Sequence, residues 1–265
     1  MKMKTSRHSC GVLLASVALA SICTTAGAAT SVRSSAHFRM TYDPAKASAE
    51  YVNFILRESE RAWTAIFNTL GYKQPKWMSD RIAARGKVML SLKEMTFLGL
   101  ASYRWNSAKV MIGGKIEFNF ERKFRDRAGN TNWHLLRGTC AHELFHLVQG
   151  AYDIVESKWL KETTAVWMEA HAFPTESKAH PTSYGFRRFL GNWNRHRRRV
   201  GLMSVGDNQE YAASIFFHYL TEHDSRGAAL IKALDSVCSS SRSFFRFSSM
   251  PCLPTGSISS VPSER

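Results

Sequence analysis

Ala141-His142-Glu143-Leu144-Phe145-His146-Leu147-Val148-Gln149 is the stretch on which the reading of this chain turns. It spells His-Glu-x-x-His within an apolar, helix-favouring run. Residues four apart on an α-helix share one face, so His142 and His146 can offer two imidazole nitrogens to a single metal ion. Glu143 sits beside the same ion, placed to hold and deprotonate a water molecule. Two histidines do not complete such a site. A catalytic zinc takes three protein ligands and keeps a fourth position open.

The third ligand is sought downstream, in Lys158-Trp159-Leu160-Lys161-Glu162-Thr163-Thr164-Ala165-Val166-Trp167-Met168-Glu169. A second helix is expected from Ser157 to Phe173, anchored by Trp159, Leu160, Val166 and Trp167 and closed by Pro174. Glu162 and Glu169 lie seven residues apart, nearly two turns, and so share a face. Either carboxylate is a candidate.

At these residues the chain resembles the gluzincin metallopeptidases, and within them the collagenase-like and related secreted bacterial enzymes. Their second helix carries a Trp-Leu-x-Glu-Gly-x-Ala-like signature, which falls here on Trp159, Leu160, Glu162, Thr163 and Ala165. Thr163 stands where the family prefers glycine. Gln149 to Tyr152 matches a Gln-x-x-Tyr-like exit from the motif helix. His37-Phe38, Leu70-Gly71-Tyr72 and Tyr211 to Phe217 look like the same group, so the likeness runs over about residues 36–223.

The resemblance implies Zn²⁺ held by His142, His146 and Glu162, with Glu169 the rival third ligand. The residue not used becomes a partner orienting a ligand histidine or a solvated glutamate. It implies hydrolysis of a protein or peptide substrate, with Glu143 as general base. Related enzymes place a tyrosine or histidine donor on a later helix, which makes Tyr211 the candidate for the developing oxyanion. Its other reading is a core tyrosine with a satisfied hydroxyl. Only fifteen residues separate His146 from Glu162, a short interval for the family, so the link between the helices must be tight. Two further readings stay open: a gluzincin-like binding protein without activity, and a basic surface-associating protein whose motif is accidental.

Working outward, Ala36 to Tyr42 alternates like a first strand, and Ala45 to Leu70 reads as a long amphipathic helix ended by Gly71. Tyr51, Ile55, Ala62, Ile66 and Leu70 share a face, with Val52, Leu56, Trp63 and Phe67 beside it. Lys87–Leu92 and Lys109–Phe120 read as strands, the second with a turn or bulge at Gly113-Gly114. Thr30–Ser35 reads as a loose leader, and Ala101–Ala108 as a loop. The motif helix is expected over Trp133–Tyr152. A further helix is expected over Asn208–His223, with Tyr211, Ile215, Phe216 and Tyr219 along one side. Strands first and helices after indicate an α+β fold, zincin-like: a small N-terminal mixed sheet with a long helix, then a helical half carrying the zinc site.

Residues 1–29 stand apart. Lys2, Lys4 and Arg7, the apolar Gly11–Cys23 and the small Ala26-Gly27-Ala28 read as a secretory signal cleaved near Ala28 or Ala29. The apolar run is shorter than the about 20 residues of a spanning helix. The expectation is a secreted or periplasmic protein with no transmembrane segment after processing. Residues 30–237 form the peptidase-like domain, and 238–265 a Ser-rich tail. Cys238 and Cys252 bracket a loop in that tail and are the natural disulfide pair after export. Cys140 lies about 200° around the helix from His142 and reads as a buried structural thiol.

Cleavage removes three cations and no acid, taking the net charge from +15 to +12. That charge favours anionic partners without specifying one. The basic cluster at Arg187–Arg199 is a solvated face or a patch for an anionic surface. It contains no recognised nucleic-acid module, so no specific nucleic-acid partner is expected.

Overall fold

In the computed structural model of the chain, residues 30–83, 86–108, 110–152, 156–174, 203, 209–224 and 227–233 are described. The leader at 1–29, the Arg187–Arg199 cluster and the tail from 238 lie outside the described residues. The fold is α+β, as the order of strands and helices indicated. Strands β1 (Ser31–Ser34), β2 (Phe38–Tyr42), β3 (Val88–Leu92), β4 (Gly99–Trp105) and β5 (Met111–Phe118) form one mixed sheet. Its order is β1-β2-β3-β5-β4. β2, β3 and β5 run parallel, while β1 and β4 are antiparallel edges.

One face of the sheet is apolar by alternation. Phe38 and Met40 of β2, Val88 and Leu90 of β3, and Ile116 and Phe118 of β5 are all buried. Against this face lie α1 (Ala49–Trp63) and α3 (Trp133–Tyr152). Ser48 caps α1, accepting the Tyr51 N–H at 3.1 Å, a bond of the kind that contributes about 1 kcal/mol. The apolar face expected of this helix is buried from Tyr51 through Phe67. The α-helix stops at Trp63 and continues as π-helical turns over Thr64–Thr69.

Two expectations are corrected here, and one helix was not expected. Residues 31–34 are not a loose leader: they pair antiparallel with β2. Ala101–Ala108 is not a loop, because Gly99–Trp105 forms the edge strand β4. Its inward residues are small or aromatic, which hid the alternation from a count of aliphatic positions. A short helix α2 (Lys76–Ala83) lies between α1 and β3. Among its described side chains only Met78 is fully buried, so its charged sequence carries little apolar period. The irregularity expected at Gly113-Gly114 is a bulge: Arg104 faces Gly113 and Trp105 faces Met111, leaving Ile112 unpaired.

β5 leads through Asn119 toward α3. Asn119 is wholly buried. Its side-chain amide donates to the carbonyls of Met95 and Phe97, each at 2.6 Å. Its carbonyl accepts the Tyr51 hydroxyl at 2.7 Å. The entry to β4 is thereby tied to the core, with three bonds each worth about 1 kcal/mol.

α3 is the centre of the molecule. Asn132 caps it by accepting the Leu135 N–H at 3.0 Å. Every residue from Thr139 to Gly150 is buried, enclosed by the sheet, α1 and α4 (Lys158–Ala172). Ser157 caps α4 through the Leu160 N–H. The expected last helix is broken at Ala213 into α5 (Gln209–Ala212) and α6 (Ser214–His223). Its buried side carries Phe217 and His218, whereas Tyr219 is 60% exposed, so the face assigned to Tyr219 is corrected. No described helix is long and apolar enough to cross a membrane.

Candidate metal centre

α3 presents His142 and His146 one turn apart, their rings 4.6 Å from centroid to centroid and perpendicular. α4 brings Glu162 up to both. Its Oε2 lies 3.2 Å from His142 Nε2 and 3.6 Å from His146 Nε2. The three ligand atoms fall within 4.8 Å of one another, and among the described residues no other group of His, Cys, Asp and Glu does so. A tetrahedral ion with bonds of about 2.0–2.2 Å holds its ligand atoms about 3.3–3.6 Å apart. The donor set and its spacing therefore fit such an ion.

The far nitrogen of each ring is also held. His142 Nδ1 lies 2.9 Å from Glu169 Oε1. A carboxylate only accepts, so Nδ1 carries a proton, which would leave the Nε2 lone pair to a bound ion. Glu169 fits because position 138, one turn before His142, is glycine: a β-carbon there would stand 2.6 Å from Glu169 Oε2. His146 Nδ1 lies 2.6 Å from Gln149 Oε1. The Gln149 amide nitrogen donates to Lys161 O at 3.0 Å and to Thr164 Oγ1 at 2.6 Å. With its NH₂ so committed, Gln149 can only turn its oxygen to the ring, which likewise puts a proton on His146 Nδ1.

Electrostatics follow from burial and these contacts. Burial alone would raise the Glu162 pKa, but hydrogen bonds from His142 and His146 outweigh it and hold the carboxyl well below its usual range. Burial opposes charge on His142, yet its bonds to Glu162 and Glu169 raise its pKa well above that of a free imidazole. Burial raises the Glu143 pKa, against the nearby His142 and His146.

Glu143 is buried against the edge strand. The Ala101 backbone bonds to it, and Gly99 leaves room for it. A β-carbon at position 99 would lie 2.6 Å from Glu143 Cγ. Tyr211 on α5 stacks over His142, with ring centroids 6.1 Å apart and planes 21° apart. Its hydroxyl bonds to Glu162, and burial with that carboxylate raises its pKa. Tyr103 was not foreseen. It projects from β4 onto Gly150 of α3, and burial with Glu143 and Glu162 nearby raises its pKa. The signal for it was the alternation of Leu100-Ala101-Ser102-Tyr103-Arg104-Trp105.

The structure thus gathers His142, Glu143, His146, Glu162 and Tyr211 in one place and sets Glu169 behind His142. Thr163, the departure from the family signature, is wholly buried and donates its hydroxyl to the Glu210 carbonyl at 2.6 Å. Cys140 is buried, with Sγ 3.9 Å from the Ile55 carbonyl oxygen.

A different polar pair occupies the other end of α4. His171 stacks on His218 of α6 at 5.7 Å and 17°. His171 Nδ1 donates to the Trp167 carbonyl at 3.0 Å. His218 is buried, and among the described residues its Nε2 has no hydrogen-bond partner. Burial lowers both pKa values, that of His218 to about 4.

No protein-family model matches this chain, and no curated protein matches it.

Proposed function

We propose that the protein is a zinc-dependent peptidase, exported and acting on peptide bonds in protein or peptide substrates. The observation that carries this reading is the convergence of His142 Nε2 and His146 Nε2 on Glu162 Oε2, with buried Glu143 beside them. Two imidazoles and one carboxylate are a donor set that suits zinc. When bound, zinc would act as a Lewis acid toward the scissile carbonyl and the attacking water.

The chain's own residues supply the rest. Glu143 accepts the proton of the attacking water and passes it to the departing amine nitrogen. Its burial, which raises its pKa, suits a group that carries a proton between two steps. The Ala101 contact holds it in place. Tyr211 turns its hydroxyl from Glu162 to the carbonyl oxygen as negative charge develops there.

The edge strand supports a peptide substrate. Among the described residues no strand pairs with the outer side of β4, and its Gly99 touches Glu143. An extended peptide can add to such an edge through backbone hydrogen bonds.

The test begins with the purified protein, which is expected to hold about one zinc per chain. Glu143→Gln should retain that zinc and lose hydrolysis of an unfolded protein substrate by about 10²–10⁴-fold. A chain that takes up no zinc after refolding with it would remove the reading. Equal inertness of wild type and Glu143→Gln across a broad substrate panel would favour a binding protein on this scaffold.

A further inference from the structure

We infer that Thr163 is a positioning residue, whose hydroxyl fixes the short helix α5 so that Tyr211 stands over the metal centre. α5 has four residues, far too few to hold a helix by its own hydrogen bonds. Its place must come from its neighbours. Two ties reach Glu210, the residue preceding Tyr211, from α4. The Thr163 hydroxyl donates to the Glu210 backbone carbonyl at 2.6 Å. The Lys158 ammonium donates to the Glu210 carboxylate at 2.9 Å. Thr163 and Glu210 are both buried, so the first tie is shielded from competing water.

The ties matter because of what the next residue touches. The Glu210 carbonyl belongs to the peptide group whose nitrogen is Tyr211's own. A shift of that peptide moves the Tyr211 ring off His142 and its hydroxyl off Glu162. Thr163 directly follows Glu162 on α4, so one turn of helix both places the carboxylate and anchors the tyrosine that meets it. A glycine at this position, as the family signature prefers, has no hydroxyl to offer. The threonine therefore stands in this chain as an anchor.

The placement of Tyr211 stands by itself; its effect on turnover rests on the peptidase reading above. Two measurements keep them apart. First, 3-fluorotyrosine is introduced at position 211 and its ¹⁹F resonance recorded in metal-free protein. Thr163→Val, which keeps the shape and removes the donor, should shift and broaden the resonance, and Thr163→Ser should restore it. An unchanged resonance in Thr163→Val overturns the inference.

Second, with zinc-loaded protein, Thr163→Val should lower kcat about tenfold with KM unchanged, within the about 100-fold that misplacing a catalytic group costs. Thr163→Ser should recover it. In a Tyr211→Phe background, Thr163→Val should cost nothing further, because it acts only through the lost hydroxyl. An additive loss overturns the inference. If Thr163→Val does not fold, Lys158→Met cuts the other tie at a side chain that is 59% exposed, and the same shift of the resonance is expected. A wild type without hydrolytic activity sinks the peptidase reading, while the resonance still decides the positioning.

Discussion

The two ends of α4 treat imidazoles in opposite ways. At the near end, His142 and His146 each meet an acceptor on both ring nitrogens: Glu169 or Gln149 behind, Glu162 in front. At the far end, His171 and His218 face each other, and the His218 Nε2 has no partner among the described residues. The contacts at the near end favour positive charge on His142. The far pair is built to exclude it. His142 and His218 are similarly buried yet shift in opposite directions, so the partners and not the depth set the chemistry.

The sharpest way to break this contrast is to remove a front acceptor and a rear one separately. Glu162→Gln should weaken zinc binding well beyond the roughly 10–100-fold that losing a supporting partner costs, and Glu169→Gln should stay within that range. Competition with a chelator measures both. The opposite order would exchange the roles of the two carboxylates.

The far end is tested with acid. A histidine whose folded pKa lies near 4, against about 6.5 unfolded, is neutral and harmless above pH 6.5. Stability falls as pH drops from 6.5 toward 4, because the unfolded chain binds the proton first, and the loss for His218 approaches about 3 kcal/mol. Urea denaturation of the zinc-free protein at pH 7.5 and pH 4.5 reads this. His218→Leu should reduce the difference between the two pH values. A variant as acid-sensitive as wild type would place the effect elsewhere.

Two glycines probe how tightly the near end is held. Gly99→Ala would drive a methyl into Glu143, and it should lower kcat about 100-fold while sparing zinc affinity. Gly138→Ala presses on Glu169 instead. It should weaken zinc binding about tenfold, the low end for disturbing a ligand's support. Equal effects of the two on metal affinity would mean that the base and the ligands are not separately held.

Which parts of this were legible in the sequence follows from what each signal is made of. α3 and α4 could be read to within a residue because apolar runs and a capping Ser157 announce them. His142, Glu143 and His146 came with the same signal, since helical spacing alone sets them on one turn. β4 was missed because its inward side is Gly99, Ala101, Tyr103 and Trp105, matched to the crowded surface of α3 and not to an aliphatic core. The choice among ring partners was equally hidden. Glu162 and Glu169 share a face, and only the angle between two helices decides which oxygen meets which nitrogen. Thr163 looked like a defect of the motif until α5, remote in sequence, supplied the carbonyl it bonds.

One buried atom offers a clock for the whole assembly. Cys140 Sγ is sealed between α1 and α3 against the Ile55 carbonyl, and burial pushes its thiol pKa up, so a thiol reagent finds neither access nor thiolate while these helices stay together. With Cys238 and Cys252 replaced by serine in the processed chain, the labelling rate of Cys140 counts separations of the α1–α3 seam. Because the seam borders the turn that carries His142, labelling timed with and without zinc would report how far the ion locks the centre of the molecule, with no substrate in hand.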